Sequence, residues 1–464
     1  MFKLLMLCLF LVPAVVAAEG WEPPVEVTRE QMIADSNEVF GMPDIPIMVK
    51  EDIFRIRAVE MDWDVGGAVF QPEDESKIPR GPDGKKIGLF LIHGGSGDHR
   101  SKEKEARLLA SKFGFKVVTF SYPGRINLHD PSRDWPDDTI HADGSVRTPA
   151  WSKESVITRD QYEIREDDSL GIKYGKLTLA CANEGTEMYN RMAGWEVAIE
   201  VGGKEMMKRN LPEDDYSIYI HGHSTGGPFA FMLSQRVPNI VGVVGMENSP
   251  FGYIFRVQTR SSGNPTGKQY GDLPFNCLHV RTWRDGARYE GPEALMLEGP
   301  EALMALPNLM DRVFARWEKG KSQPNFKSEG PVHFGSVHQL ANAARATAKR
   351  LELNIKDTDE LVRQYIGYSR ELQGANVKRV PPILFGVAEA SADHMYERYE
   401  QVTLPMYAAM DPPPKVRVIQ FRAGTHGYSA PQQDLPMGTF PSVAKLWRDA
   451  ILGGYYHNNL KAYE

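Results

Sequence analysis

Six short apolar runs recur along the chain and are separated by segments with helical spacing. The runs are five to eight residues long and rich in Val, Ile, Leu and Phe, and they lie at 87–92, 115–122, 216–220, 240–246, 383–387 and 416–421. Unbroken apolar runs of this length are typical of strands that helices cover on both faces. An earlier segment, 53–71, is predicted to form two more strands around a turn at Gly66 and Gly67.

Three segments have the spacing of amphipathic helices. One follows the first run at 102–113, one covers 186–208 with Met188 and Met192 on the same face, and one lies near the end at 443–451. Strands that alternate with helices in this way predict an α/β fold whose sheet is mainly parallel.

Two long segments interrupt this alternation. The first, at about 124–185, is polar and aromatic with many turn residues, and we expect a long loop insertion there. The second, at 250–379, contains patches of helical character and is predicted to form a mostly helical cap or lid. The chain leaves the sheet after the fourth apolar run and returns with the fifth, so the cap should lie over the carboxyl edge of the sheet. The core is then divided between 19–249 and 380–464.

The first residues have the layout of a secretory signal peptide. A lysine precedes an apolar stretch at 4–16, and small residues then lead to a cleavage position after Ala18. These 13 apolar residues are too few to span a bilayer, so we expect an exported protein with no stable membrane anchor. Removal of 1–18 takes one of the three cysteines and leaves Cys181 and Cys277, either as a disulfide or as two buried thiols.

The composition and charge of the chain bear on which kinds of molecule it can bind. The 464 residues include 54 Lys and Arg against 61 Asp and Glu, a formal net charge of −7, with 42% hydrophobic and 25% charged residues. These proportions are typical of a folded soluble protein. A nucleic-acid partner is not expected, because binding to phosphates requires a basic face. The oligomeric state is left open by the sequence.

The sequence G-H-S-T-G at 222–226 is the clearest candidate for chemistry. It follows an apolar run and precedes a helical pattern, the strand–turn–helix setting in which a G-x-S-x-G motif presents a nucleophilic serine. The glycines are required because such a turn is too tight for side chains. We therefore predict that Ser224 is a nucleophile, with an ordinary glycine-rich turn as the alternative.

Two backbone N–H groups are needed beside such a serine, because attack on an acyl carbon produces an oxyanion. The residue after the nucleophile, Thr225, is expected to supply one of them. His93-Gly94-Gly95 directly follows the run at 87–92, in the position where an H-G-G loop supplies the other. Gly95 is the expected donor, with Gly94 next.

A serine hydroxyl also requires a base that removes its proton. His426 lies in A-G-T-H-G just after the run at 416–421, on a loop that can reach across the carboxyl edge of a parallel sheet. It is the predicted base, and His394 is its main rival. His221 and His223 flank the serine and are expected to have structural roles.

An acidic residue must orient the histidine, and three candidates stay open. Glu389 follows the run at 383–387 and is the preferred one. Asp393 lies four residues later, at a predicted helix start where an acid is common. Glu247 directly follows the run at 240–246.

These features together resemble the α/β-hydrolase family, in particular its secreted serine esterases and lipases. The resemblance is carried by H-G-G after a strand, G-H-S-T-G before a helix, a late Glu and a final His, and it covers a little over half of the chain. It implies a mainly parallel sheet covered by helices, a triad in the order Ser224, Glu389 and His426, and no cofactor. The chain departs from the family in having Glu where Asp is usual and in its two long insertions.

The function expected from the sequence is hydrolysis of small or medium carboxylic esters through an acyl-enzyme, with the cap shaping the pocket. A peptidase or amidase that uses the same triad is an alternative, because the fold does not determine which bond is cleaved. A non-catalytic binding protein that retains the fold is another. No metal is expected, because the acidic cluster at 134–143 matches no calcium-binding loop and is typical of a solvated turn.

Overall fold

The architecture is given by a computed structural model of the chain. The structure describes residues 23–94, 97–121, 123–124, 126, 151–167, 177–223, 226–234, 236–246, 276–280, 337–356, 360–361, 364, 381–388, 404, 414–424 and 427–457. The strands in these ranges are β1 (Val25–Val27), β2 (Ile47–Ala58), β3 (Met61–Pro72), β4 (Lys86–Ile92), β5 (Lys116–Ser121), β6 (Tyr162–Asp167), β7 (Leu177–Ala182), β8 (Tyr216–Gly222), β9 (Ile240–Met246), β10 (Cys277–Val280), β11 (Ile383–Ala388) and β12 (Val416–Phe421).

Nine of these strands form one sheet in the order β1-β12-β11-β9-β8-β4-β5-β3-β2. Every neighbouring pair from β1 to β5 is parallel, whereas β3 and β2 join the end of the sheet in antiparallel pairs. Each of the six apolar runs forms a strand of the parallel part. The prediction of an α/β fold with a mainly parallel sheet is therefore confirmed.

Helices cover both faces of this sheet. They are α1 (Arg29–Gly41), α2 (Glu103–Phe113), α3 (Glu187–Asn210), α4 (Gly226–Ser234), α5 (Val337–Arg350) and α6 (Phe440–Leu452). Along β4, Phe90 and Ile92 pack with residues of α3 and α4, while Leu89 and Leu91 pack with residues of α1, α2 and α6. Successive side chains of a strand point to opposite faces, so the sheet lies between two helix layers. Within the described ranges, none of the helices is both long and apolar enough to span a membrane.

The turn between β2 and β3 lies at Val59 and Glu60, and the prediction of a turn at Gly66 and Gly67 is wrong. Val59 and Glu60 both have positive φ, 46° and 60°, which is the backbone of a two-residue type I′ hairpin turn. The two glycines lie within β3 instead. A Cβ on Gly67 would lie 2.1 Å from the carbonyl oxygen of Thr119. Only a glycine at this position therefore lets the backbone of β5 come so close to β3.

A second, antiparallel sheet joins the two long insertions. Its order is β10-β7-β6, with β6 and β7 from the segment at 124–185 and β10 from the segment at 250–379. The register places Cys277 directly opposite Cys181, and Cys181 is disulfide-bonded. Of the two possibilities that the sequence left open for the cysteines, the structure supports the disulfide.

Asp52 on β2 links this edge strand to the end of α3. Its carboxylate accepts hydrogen bonds from Arg209 Nε at 3.0 Å, Arg209 Nη2 at 2.9 Å and Asn210 Nδ2 at 3.0 Å. The hydrogen bond from Arg209 is the main reason that the pKa of Asp52 lies below its ordinary value of 3.8. A carboxyl group with a lowered pKa in the folded state stabilises the protein above its ordinary pKa, and this contribution is lost as the pH falls through the folded-state pKa.

Replacing Asp52 with asparagine is expected to lower the unfolding temperature at pH 7, because the charge-assisted hydrogen bonds are weakened. The difference between wild type and Asp52→Asn should shrink below about pH 4, where the wild-type carboxyl begins to bind a proton. Thermal unfolding of both proteins from pH 7 to pH 3 measures this. A difference that stays constant over that range would contradict the prediction.

Candidate active site

The carboxyl ends of five neighbouring parallel strands lie at one edge of the sheet. In order across the sheet they are β12, β11, β9, β8 and β4. The register keeps these ends level, since Ala388 is opposite Phe421 and Ile92 is opposite Gly222, the last residues of their strands. The loops that follow these strands therefore meet at the edge where open α/β sheets bind their ligands.

The turn from β8 into α4 is too tight for side chains at its two glycines. The Gly226 N–H donates to the His223 carbonyl oxygen at 2.7 Å, and the His223 N–H donates to the Ile92 carbonyl oxygen at 3.0 Å. A Cβ on Gly222 would lie 2.3 Å from the Gly226 carbonyl oxygen, and a Cβ on Gly226 would lie 2.5 Å from the His93 carbonyl oxygen. Any larger residue at either position would force the backbone to move. This is the strand–turn–helix geometry that a G-x-S-x-G motif requires.

The loop after β4 packs against this turn. His93 is fully buried, and its Nδ1 lies 2.6 Å from the Gly94 carbonyl oxygen. The Gly97 N–H donates to the same carbonyl group at 3.2 Å. A Cβ on Gly226 would collide with the His93 carbonyl oxygen, so the chain at His93 packs closely against the start of α4. The chain at Gly94 is thus held beside the turn, as an oxyanion loop requires.

The loop after β12 reaches the same place. Gly427, whose φ is 105°, lies so close to His223 that a Cβ on it would be 3.5 Å from Cε1 and 3.8 Å from Nε2 of the imidazole ring. Gly427 is the residue after His426, and His223 is the residue before Ser224. β12 lies three places from β8 in the sheet, so only the tertiary fold brings these two segments together.

The two histidines beside the predicted nucleophile differ in their surroundings. His221 is buried within β8, with its Nδ1 3.1 Å from the Val244 carbonyl oxygen and its ring centroid 4.9 Å from that of Trp447. His223 is partly exposed at the turn and contacts Gly427. His221 therefore belongs to the core, whereas His223 belongs to the candidate active site as a contact residue.

The predicted site residues themselves lie outside the described residues. These are Ser224, Thr225, Gly95, Glu389 and His426, together with the alternatives Glu247, Asp393 and His394 and the acidic cluster at 134–143. The structure does place their chain neighbours at the carboxyl edge. Those neighbours are Gly94 before Gly95, His223 before Ser224, Gly226 after Thr225, Ala388 before Glu389, and Gly427 after His426. In the part of the chain that the structure describes, no group of three or more His, Cys, Asp or Glu side chains could hold a metal ion.

Sequence reasoning missed a network of hydrogen bonds that begins at the buried Ser121 and His99 and ends at the half-exposed Glu51. The His99 N–H donates to Ser121 Oγ at 2.6 Å, His99 Nδ1 lies 2.8 Å from the same oxygen, and Nε2 lies 3.2 Å from Glu51 Oε1. The hydrogen bond from His99 lowers the pKa of Glu51. Ser121 is fully buried and its oxygen already accepts the His99 N–H, so this Ser-His-Glu set supports the loop and cannot attack a substrate. No local pattern signals this set, because its hydrogen bonds join residues 22 and 48 positions apart in the chain.

Comparison with known proteins finds no matching family model and no matching curated protein. Solved structures that resemble the chain include an open-form lipase, with 12% identity, coverage of 87% of this chain and 99% of that chain, and a TM-score of 0.38. A thermostable esterase from Pseudomonas putida has 13% identity, coverage of 93% and 90%, and a TM-score of 0.33. The acylaminoacyl peptidase of Pyrococcus horikoshii has 13% identity and a TM-score of 0.35, and the match covers 87% of this chain and 41% of that chain.

The assignment of the fold rests on the geometry of the chain itself. A mainly parallel sheet lies between two helix layers, and a strand–turn–helix at its carboxyl edge has glycines at the two positions where a Cβ would collide with backbone. An H-G-G loop from the neighbouring parallel strand packs against that turn. These are the features by which the α/β-hydrolase fold is defined around its nucleophile. The chain has the α/β-hydrolase fold.

Proposed function

We propose that this chain is a serine hydrolase that cleaves carboxylic esters of small molecules. The observation that carries the proposal is the position of Gly427 beside the His223 ring, where a Cβ on Gly427 would be 3.5 Å from the imidazole Cε1. It joins the chain segment of the proposed base, His426, to that of the proposed nucleophile, Ser224. A hydrolase of this type requires these two segments to meet, because the imidazole must reach the serine hydroxyl.

In the proposed mechanism, Ser224 Oγ attacks the acyl carbon while His426 accepts the hydroxyl proton. The N–H groups of Gly95 and Thr225 bind the oxyanion that forms, and Glu389 orients the histidine and stabilises the imidazolium. His426 then gives its proton to the leaving alkoxide, which departs as the alcohol. Water, activated by the same histidine, hydrolyses the acyl-enzyme and restores the serine.

We further propose that the two insertions form a cap that restricts the pocket to small or medium esters. Ser121 at the end of β5 pairs with Gly66, and the β2–β3 hairpin continues past this pair to Val59, beyond the carboxyl edge. At that tip, Arg350 of α5 donates a hydrogen bond to the Val59 carbonyl oxygen, and α5 packs along α3. These contacts support a cap that stands over the edge where the nucleophile is proposed to act.

Export is part of the proposal. The layout of 1–18 is that of a signal peptide with cleavage after Ala18. The disulfide at Cys181 supports this, because disulfides persist in oxidising compartments and are rare in the cytosol.

One labelling experiment tests catalysis and export together. The full chain is expressed in a secreting host, and the protein recovered outside the cytoplasm is treated with a fluorophosphonate, which phosphonylates activated serines. We expect an intact mass that begins at Glu19 and carries one adduct, with peptide mapping that places the adduct on Ser224. Heat-denatured protein is the control and should stay unlabelled, because only the folded site activates the serine.

The outcomes separate the alternatives. A folded protein that stays unlabelled has no activated serine and would be a binding protein with a hydrolase fold. A mass that retains 1–18 would contradict export. Untreated enzyme from a preparation that labels is then given an ester and an anilide with the same acyl group, and we expect the higher kcat/KM for the ester. A kcat/KM for the anilide as high as that for the ester would favour a peptidase or amidase instead.

A further inference from the structure

A buried ion pair links α2 to the loop that follows β12. Lys102 Nζ lies 3.2 Å from Glu105 Oε1, and the two side chains are only 6% and 3% exposed. The same carboxylate oxygen accepts a hydrogen bond from Ser429 Oγ at 3.0 Å. Glu105 therefore holds a lysine on its own helical segment and a serine on a loop more than 300 residues later in the chain.

Ser429 belongs to the loop after β12, which at Gly427 lies beside the ring of His223. It lies two residues after Gly427, whose carbonyl oxygen also accepts from Ser429 Oγ at 3.2 Å. Between them, Tyr428 is buried with a φ of 54°, a conformation that non-glycine residues rarely adopt. Such a backbone persists only where its surroundings determine it, and Glu105 is one of those surroundings.

Glu105 also lies on the helical segment that follows the H-G-G loop in the chain. The helical turn His99–Lys102 is capped by Asp98, which directly follows Gly97, and it runs without interruption into α2. The hydrogen bond between Glu105 and Ser429 thus joins the element that follows the proposed oxyanion loop to the loop that follows the proposed base. The carboxylate is charged, so its hydrogen bond is stronger than one between neutral groups.

We propose that Glu105 and Ser429 are positioning residues for the hydrolase reaction, which fix the loop after His426 relative to the nucleophile turn. This inference rests on the proposed function. The ion pair with Lys102 holds the Glu105 side chain in place, and Glu105 in turn fixes Ser429 and the backbone at Gly427. Because a misplacement of about 1 Å can cost roughly 10²-fold in rate, loss of this hydrogen bond is expected to act on kcat.

The chain contains a matched control for this arrangement. Ser442 Oγ on α6 donates to Asp35 Oδ2 at 2.6 Å, and Lys445 Nζ lies 3.2 Å from Asp35 Oδ1. This is again a serine and a lysine on one buried carboxylate, but here the two contacts join α6 to α1 instead of α2 to the loop after β12. Ser442→Ala therefore removes a similar hydrogen bond away from the site.

The experiment compares Ser429→Ala, Ser429→Thr and Ser442→Ala with the wild type. For a p-nitrophenyl ester, Ser429→Ala is expected to lower kcat by about 10- to 100-fold with little change in KM. Ser429→Thr keeps a hydroxyl and should recover most of kcat, and Ser442→Ala should keep wild-type kcat. Hydrogen exchange, followed by mass spectrometry on the peptide that covers 424–430, should become faster in Ser429→Ala alone.

Both readouts must change together in Ser429→Ala for the positioning role to stand. Unchanged kcat, unchanged exchange of the 424–430 peptide, or an equal loss of kcat in Ser442→Ala would each overturn it. If the wild type hydrolyses the ester and Ser429→Ala is equally active, the positioning role is contradicted but the proposed function is not. A folded wild type without ester turnover contradicts the proposed function, and the positioning role falls with it.

Discussion

Replacing Ser224 with alanine is expected to lower kcat for a p-nitrophenyl ester by about 10⁴- to 10⁶-fold, because the acyl-enzyme can no longer form. His426→Ala should cause a loss of similar size, since nucleophile and base act as one unit. The double variant should be little worse than either single variant for the same reason. Steady-state kinetics on the purified variants, checked for folding by thermal unfolding, measures these losses.

Ser217→Ala is the matched control for the serine variant. Ser217 lies in the same strand, β8, near its amino end, where its hydroxyl donates to Asp83. Ser217 is therefore distant from the carboxyl edge of the sheet, and the Ser217→Ala variant should hydrolyse the ester as fast as the wild type. A Ser224→Ala variant that hydrolyses the ester as fast as Ser217→Ala would contradict the assignment of the nucleophile.

The same kinetics identify the acid of the triad. Glu389→Gln is expected to lower kcat by roughly 10⁴-fold, the size of effect seen when the orienting carboxylate of a triad is neutralised. Glu389 follows Ala388 in the chain, and the strand that ends at Ala388 pairs in parallel with β12, the strand that precedes His426. Asp393→Asn and Glu247→Gln should be nearly as active as the wild type. If either shows the larger loss, that residue is the acid instead.

Replacing Glu200 with glutamine is expected to destabilise the protein by about 3–5 kcal/mol. Glu200 of α3 forms an ion pair with Arg236, which follows α4, and the two side chains are 1% and 6% exposed. Without the negative charge of Glu200, the buried guanidinium group of Arg236 has no counter-charge. The free-energy cost of removing that cation from water is then no longer offset. The shift of the urea unfolding midpoint, converted with the slope of the transition, measures the loss.

Glu103→Gln is the control for this stability effect. Glu103 and Arg107 form an ion pair one helical turn apart on α2, with both side chains about half exposed, at 46% and 49%. Exposed pairs of this kind contribute less than about 1 kcal/mol. A Glu200→Gln variant that is no less stable than Glu103→Gln would show that the buried pair does not hold α4 to α3.

The central strands could be predicted from the sequence because their apolar runs are continuous. Residues buried on both faces leave no polar alternation, and the segments at 87–92 and 240–246 coincide with strands almost residue for residue. Thr186 was likewise recognised at the start of a helix, and its hydroxyl accepts from the Tyr189 N–H as an N-cap. Local chemistry decides these elements, so local sequence is enough to find them.

The β2–β3 hairpin could not be located in this way. Gly66 and Gly67 have the composition of a turn, but Gly67 is required by the Thr119 carbonyl group of a strand that lies 52 residues later in the chain. Val59 and Glu60 have poor turn composition, and they adopt positive φ because the pairing of twelve residues on each side fixes the register. Here the cross-strand contacts outweigh the local preference.

The sequence by itself determined the α/β class, the parallel strands and the identity of the candidate residues, because apolar periodicity and the G-x-S-x-G and H-G-G motifs are properties of short segments. Only the tertiary structure decided which segments meet. It placed Gly427 against His223, joined both insertions in one sheet at Cys181, and paired Glu105 with Ser429. These contacts join residues far apart in the chain, and their energies depend on burial and on distances of a few ångströms. No local pattern encodes those distances, since they follow from the order and register of the assembled strands.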